Sequence, residues 1–269
     1  MSARWSTLVI LVAGFAASAG CTSLAGPSPI DDRWVIHETT HFVIHVRPDA
    51  FASADVATFG SVLEDQYATS LTRLEARLEM RLFGFLFRPG EGGLRGGGVR
   101  EGVAYPLTDS FKIGVAPPVD GNVYALMTHE ANHVIAERVL GQPGTSFANE
   151  GLASALLSER YHTLGPSFFH AWVANRPNPP SIGQLIDDDA WTGVDHDTSY
   201  NSSASFLAYL IETHGPAPFA RLYSARSSEF GRRFEEVYGQ SLEEGEAAWR
   251  EYLRAYDGSV RPPGPDLSK

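Results

Sequence analysis

The segment MTHEANHVI, residues 127–135, constrains the fold of this 269-residue chain most, because its spacing has a clear meaning only on a helix. His129 and His133 are four residues apart, and the apolar positions between Val123 and Leu140 follow helical periodicity. Four residues advance a helix by about 400°, so the two imidazoles share one face and lie about 6 Å apart along the axis. Such a pair can bind one metal ion, and Glu130 beside it can act on a water at that metal without being a ligand.

A third ligand is available at Glu150, seventeen residues after His133. A second helix is predicted from about Ser146 to Tyr161, and a turn at residues 141–144 would fold it back against the first helix. Catalytic zinc sites use three protein ligands and leave one position open, and two histidines with one glutamate are a recurring set. The sequence therefore predicts a zinc ion (Zn2+) held by His129, His133 and Glu150.

The two motifs together resemble a known group of enzymes. H-E-x-x-H followed by N-E-G-L-A, residues 149–153, is similar to the gluzincins, specifically to the peptidase MA-like domains of bacterial exported proteins. The resemblance covers about residues 34–256. It implies that Glu130 is the general base of a zinc-dependent hydrolase that cleaves peptide bonds, with a peptide or a protein as its substrate.

Strands precede helices along the chain, which predicts an α+β fold. The strand-like runs, rich in β-branched and aromatic residues, are residues 34–36, 42–46, 82–87 and 111–116. Amphipathic helical spacing is found at residues 54–78, and a capping box at residues 241–244 opens a last helix. The resemblance implies a zincin-like arrangement for residues 31–256, in which a small mixed sheet with helices precedes a C-terminal helical lobe and the active site lies between them.

The resemblance also indicates residues that act on the substrate. A tyrosine is expected at the start of a later helix, so Tyr200 is the candidate donor to the oxyanion formed during cleavage. His196 and His214 are alternatives, and Tyr200 is otherwise a tyrosine at the edge of a loop. An edge strand ahead of the metal helix would pair with an extended substrate. That strand is expected at residues 112–116, and its candidate substrate-binding residues are Ile113, Gly114 and Val115.

One position departs from the thermolysin-like pattern. Those enzymes carry an aspartate four residues after the third ligand, where it orients a zinc-binding histidine. Ser154 occupies this position here. The orienting partner is therefore expected to be Glu137 or a backbone carbonyl.

The N-terminus predicts export. Residues 1–20 have the features of a signal peptide, with an apolar run at residues 7–19 that is too short to span a bilayer. The run ends in small residues just before Cys21, the single cysteine, and this resembles a bacterial lipobox. We therefore expect Cys21 to carry a lipid that anchors the protein to a bilayer of the cell envelope, with residues 21–30 as a tether. The A-x-A pattern at residues 17–19 supports the alternative of a soluble periplasmic or secreted protein.

Charge and motif content exclude other classes. The chain has 21 Lys and Arg against 32 Asp and Glu, a net charge of −11, and no basic cluster, so no nucleic-acid partner is expected. The glycine-rich segment at residues 89–102, expected to be a flexible loop, matches no phosphate-binding pattern, so no nucleotide is expected. Residues 257–269 contain RPPGP and are predicted to be a disordered tail.

Two rival functions stay open. The first is a catalytically inactive zincin-fold binding or scaffold lipoprotein of the cell envelope, which the retention of all three ligands and of Glu130 disfavours. The second is a helical interaction protein in which H-E-x-x-H is accidental. Metal analysis of protein purified without a His-tag separates the second from a metalloenzyme.

Replacing Cys21 by Ser tests the predicted lipid anchor. The variant lacks the thiol that would be acylated, so we expect it to move from the membrane fraction to the soluble fraction. Cell fractionation with immunoblotting measures this against the wild type. A soluble wild type, or a variant that stays with the membrane, would contradict the anchor.

Overall fold

The computed structural model describes residues 34–47, 50–94 and 100–256. The predicted signal peptide, the tether with Cys21 and the predicted tail lie outside these ranges. Within them, none of the helices combines the length and the apolar character that crossing a bilayer requires. The described residues form a five-stranded sheet and ten α-helices, which confirms the predicted α+β class.

The N-terminal part of the chain builds one mixed sheet. Its strands are β1 (Val35–Glu38), β2 (Phe42–Val46), β3 (Leu82–Phe87), β4 (Arg100–Tyr105) and β5 (Ser110–Val115). They lie in the order β1-β2-β3-β5-β4. The outer pairs β1–β2 and β4–β5 are antiparallel, whereas β2–β3 and β3–β5 are parallel. The two edges of the sheet are therefore β1 and β4.

The prediction that β5 is an edge strand is wrong. β5 pairs with β3 on one side and with β4 on the other, so it has no free edge to which a substrate strand could be added. The residues concerned are Ile113, Gly114 and Val115. The error arose because β4 begins inside the segment expected to be a loop, residues 89–102. Its sequence, REGVAY, begins with two charged residues and a glycine, and these hide the alternation by which strands are recognised.

Two long helices, α1 (Ser53–Arg73) and α2 (Gly121–Leu140), pack on the sheet. Alternate strand residues such as Phe42 and Ile44 are buried in a core shared with both helices. α1 ends five residues before the predicted position 78, because Glu75 adopts a left-handed backbone conformation with φ of 48°. Leu78 still packs against the core, which explains why the apolar spacing continued beyond the helix.

The boundaries of α2 agree with the sequence signals. The side chain of Asp120 accepts hydrogen bonds from the backbone N–H groups of Asn122 and Val123, as an N-cap residue does. Gly141 follows the helix with a positive φ of 84°, which favours glycine. The helix that carries H-E-x-x-H is therefore defined at both ends by local sequence.

The other helices form a lobe around a second core that is rich in aromatic side chains. They are α3 (Ser146–Ala155), α4 (Pro166–Ala174), α5 (Ile182–Ile186), α6 (Asp188–Gly193), α7 (His196–His214), α8 (Pro216–Leu222), α9 (Ser227–Tyr238) and α10 (Leu242–Ala255). The predicted capping box of α10 is present, with Ser241 and Glu244 each bonded to the backbone of the other. α3 ends before the predicted Tyr161, since the backbone N–H of Ser158 bonds to the side chain of Gln66 and does not continue the helix.

Candidate metal centre

Helices α2 and α3 bring three potential metal ligands together. His129 Nε2 lies 3.1 Å from His133 Nε2, and Glu150 Oε2 lies 3.2 Å from the former and 3.3 Å from the latter. The chain turns at residues 141–144, so α3 packs against α2 and the predicted juxtaposition is confirmed. Among the described residues, these three are the one group of His, Cys, Asp or Glu side chains close enough to share an ion.

Two polar residues of α3 contact the Nδ1 atoms of the two imidazole rings. Asn149 Oδ1 lies 3.0 Å from His133 Nδ1, and Asn149 Nδ2 donates to Glu150 Oε1 at 3.2 Å. Ser154 Oγ lies 3.3 Å from His129 Nδ1. An oxygen at Nδ1 fixes a ring so that Nε2 faces the centre. The same helix therefore supplies the third ligand and both orienting partners.

The expectation that Glu137 orients a histidine is wrong. Glu137 accepts a hydrogen bond from Gln142 beyond the end of α2, away from both imidazoles. Ser154, which stands where the thermolysin-like pattern has an aspartate, is itself the partner of His129. A hydroxyl can accept the Nδ1 hydrogen as a carboxylate would, so the residue type differs while the contact is kept.

The glycine of N-E-G-L-A allows α3 to approach α7. A Cβ built on Gly151 would lie 2.8 Å from the Cβ of Ser203 in α7, closer than side chains pack. Ser203 is nearly one helical turn beyond Tyr200. The absence of a side chain at residue 151 thus brings the helix of the third ligand against the helix of the candidate oxyanion donor.

Charge within the cluster is balanced by a proton in the metal-free protein. Burial lowers the pKa of His129. Burial would also lower the pKa of His133, but the charge and hydrogen bond of Glu150 raise it to about 9. The charge of His133 and hydrogen bonds from both histidines hold the pKa of Glu150 well below its usual range despite burial. The three side chains together thus form a buried site for a positive charge.

Glu130 is separate from this cluster and almost completely enclosed. Its side chain is 1% exposed, and Oε1 has no hydrogen-bond partner among the described residues. Burial raises the pKa of this carboxyl to about 8. Gly102 of the edge strand β4 packs directly against it, since a Cβ at residue 102 would lie 2.4 Å from Glu130 Oε1. The strand that sequence analysis missed therefore borders the candidate general base.

Of the three candidate donors, two lie at the centre. The ring of Tyr200 is 6.2 Å from that of His129, and burial together with the nearby charge of Glu150 raises the pKa of its hydroxyl. His196 stacks on Tyr200 at 4.0 Å. His214 is at the far end of α7, about 21 Å along the helix from Tyr200, where it contacts Tyr238. The expectation that His214 takes part in the site is therefore wrong, and Tyr200 is in the helix and not on a loop edge.

Neither a scan against protein-family models nor a search of curated proteins found a match for this chain. The chemistry of the site follows from its own residues. Two imidazoles and one carboxylate can hold a cation, and a second carboxylate, Glu130, and a phenol, Tyr200, stand beside them. Such a set offers a Lewis acid site, a base and a hydrogen-bond donor within one buried region.

A double-mutant cycle tests the contact between Gly102 and Glu130. Gly102→Ala introduces a methyl group where Glu130 lies, and we expect the overpacking to lower the free energy of unfolding by about 1–3 kcal/mol in urea titrations. In a Glu130→Ala background the same change should cost far less. Gly231→Ala in α9, where a Cβ meets no atom, is the matched control and should not destabilise. Equal destabilisation in both backgrounds would show that the contact is not the cause.

Proposed function

We propose that the protein is a zinc-dependent peptidase with a zincin-like fold and the gluzincin ligand set His129, His133 and Glu150. The observation that carries this proposal is the spacing of the three donor atoms. Zinc binds nitrogen and oxygen at about 2.0–2.2 Å, so two ligands of a tetrahedral ion are about 3.4 Å apart. The separations of 3.1, 3.2 and 3.3 Å agree with this to within about 0.3 Å.

The surroundings of the ligands also suit zinc. The partners at Nδ1 of both rings leave Nε2 available as an unprotonated ligand, and His, His and Glu leave one tetrahedral position open. Of the three ligands only Glu150 is negatively charged, so a bound zinc dication would keep a net positive charge. A positive charge in the cluster lowers the pKa of a nearby carboxyl, so Glu130 would be ionised at neutral pH in the metal-loaded protein.

Each catalytic residue then has a defined task. Zinc, when bound, supplies the Lewis acidity that makes water a nucleophile near neutral pH. Glu130 would take a proton from the attacking water as the oxygen of that water bonds to the peptide carbonyl carbon, and it would pass the proton to the amine nitrogen as the C–N bond breaks. Burial raises the pKa of Tyr200, so its hydroxyl stays protonated and can donate a hydrogen bond to the oxyanion.

We propose β4, in place of β5, as the strand that pairs with the substrate. β4 is an edge of the sheet, so its outward N–H and C=O groups can pair with an extended peptide. The contact between Gly102 and Glu130 means that a peptide paired along β4 would pass beside the base. An extended peptide or an unfolded protein segment is therefore the substrate class that the site favours.

The proposed location is the cell envelope. The N-terminal sequence supports export, with a lipid on Cys21 holding the protein at a bilayer. A soluble periplasmic or secreted form is the alternative. In either location the substrate would be a peptide or protein outside the cytoplasm.

One observation favours the alternative function of an inactive zincin-fold scaffold. Glu130 is buried against β4, and its Oε1 has no hydrogen-bond partner in the part of the chain that the structure describes, whereas a working base must reach a water. If β4 does not move aside, the metal site would serve structure alone. Activity measurements on Glu130 variants decide between these two functions.

Zinc content tests the metal site. We expect about one zinc per chain in protein purified without a His-tag. We expect His133→Ala to lose most of this zinc, because the two remaining ligands would bind the ion weakly. His162→Ala is the matched control, since His162 is also buried and lies 3.5 Å from Thr128 of α2 without contacting the cluster. The measurement is inductively coupled plasma mass spectrometry. Stoichiometric zinc in the His129→Ala, His133→Ala double variant would refute the assignment.

Three substitutions separate an enzyme from a scaffold. Glu130→Gln should keep zinc and folding but lower the rate by about 10²–10⁴, because the base is gone. Tyr200→Phe should lower kcat by about 10²–10³ with zinc retained. Glu150→Gln should instead weaken zinc binding. The assay is an unbiased peptide library with mass-spectrometric detection, extended to peptidoglycan peptides. Equal inertness of zinc-loaded wild type and Glu130→Gln would favour the scaffold.

A further inference from the structure

We propose that a buried hydrogen-bond network of Gln66, Ser70 and Asn132 sets the position of α3 against α2 and thereby positions Glu150 for the metal. The three side chains bond to one another and to the backbone at the end of α3, so they are positioning residues and not ligands. All three are buried. The inference rests on the proposed zinc site and adds to it the device that aligns the third ligand.

Asn132 connects the two ligand-bearing helices directly. It lies in α2 between His129 and His133, within H-E-x-x-H itself. Its Nδ2 donates to the carbonyl oxygen of Ala153 in α3 at 2.8 Å. Its Oδ1 accepts from Ser70 Oγ at 2.7 Å and from Gln66 Nε2 at 3.1 Å. One turn of α2 therefore carries both histidines and the side chain that holds α3.

Gln66 of α1 holds the residues that follow α3. Its Nε2 donates to the carbonyl oxygen of Leu156 at 2.8 Å, and its Oε1 accepts from the backbone N–H of Ser158 at 2.9 Å. The same Nε2 contacts Ser70 Oγ at 2.9 Å, which joins both helices to one network. Through these contacts α1, which carries no ligand, fixes the C-terminal end of α3.

Because α3 is short, the position of Glu150 depends on where the C-terminal end of this helix is held. The helix has 10 residues, and Ala153 is three residues after Glu150, about 4.5 Å along the axis. Apolar packing is non-directional, whereas hydrogen bonds of 2.7–3.1 Å define a position along the helix. A metal ligand must be held within about 0.5 Å of its working position. Loosening the network would displace Glu150 while leaving the histidine pair on α2 in place.

Zinc affinity of the purified full chain measures the proposed role. The variants are Asn132→Ala and Gln66→Met, and affinity is determined by competition with a chromogenic chelator well below the unfolding temperature. We expect each to weaken zinc binding by about 10–100-fold, as loss of a residue that positions a ligand does. The two variants act at different ends of the network, so either one tests it if the other does not fold.

Tyr67→Phe is the matched control for stability. Tyr67 is the neighbour of Gln66 in α1, and its hydroxyl donates a buried hydrogen bond to the carbonyl oxygen of Leu78, away from α3. We expect its metal-free form to unfold at lower urea concentration, as the network variants do, with zinc affinity within about twofold of wild type. If Asn132→Ala and Gln66→Met change affinity no more than Tyr67→Phe, the network has only a structural role and the inference is refuted.

A Glu150→Gln background shows whether the network acts through the third ligand. There we expect Asn132→Ala to weaken zinc binding by less than about threefold, because the glutamine that the network then positions is at most a weak, neutral ligand. Equal weakening with and without Glu150 would overturn the inference. A wild type that binds no zinc would instead refute the proposed function, so the two failures can be told apart.

Discussion

The close packing of α3 against α2 is the contact on which the rest of the structure depends. It places a carboxylate and two imidazoles within 3.3 Å of one another in a buried region. Burying these groups is costly unless their charges are neutralised. In the metal-free protein a proton on His133 does this, since Glu150 raises the pKa of His133 to about 9. Such a cluster is a site for a positive charge, and a divalent metal ion would displace that proton.

The ligands are divided between two cores. α2 packs in the sheet core through residues such as Val134 and Ile135, whereas α3 packs in the helical core through Phe147 and Leu152. The site therefore lies where two hydrophobic clusters meet. A directional network across this boundary gives the site a stability that neither core supplies alone.

The features that could be predicted from the sequence are those whose signal is contained within a few neighbouring residues. The helical spacing of His129 and His133, the Asp120 cap and the Ser241 capping box are contained within a few residues, and the structure confirms them. β4 was missed because its pattern is masked by charge and glycine, and that error made β5 seem an edge. The roles of neighbouring strands depend on the order of the whole sheet, which no short segment contains.

The contacts around the site show the same limit. Glu150 was recognised because it follows H-E-x-x-H at a plausible distance and lies in N-E-G-L-A. The partner of His129 was missed because Ser154 was judged by residue type, although it is one helical turn from Glu150 and so shares its face. Gln66 gave no signal, since its importance comes from contacts with other helices. Polar residues in apolar helix faces are the sequence feature by which such networks can be sought.

The position of Glu130 explains why an edge strand belongs beside this helix. Glu130 follows His129 by one residue, which turns it about 100° around α2, off the ligand face and toward β4. A Cβ at residue 102 would lie 2.4 Å from Glu130 Oε1, so β4 approaches this carboxyl within van der Waals distance. Only a residue without a side chain permits that approach, and Gly102 is that residue. The glycine that obscured β4 in the sequence is thus the residue that lets the strand reach Glu130. The contact between Gly102 and Glu130 thus joins α2 to β4, the proposed substrate strand.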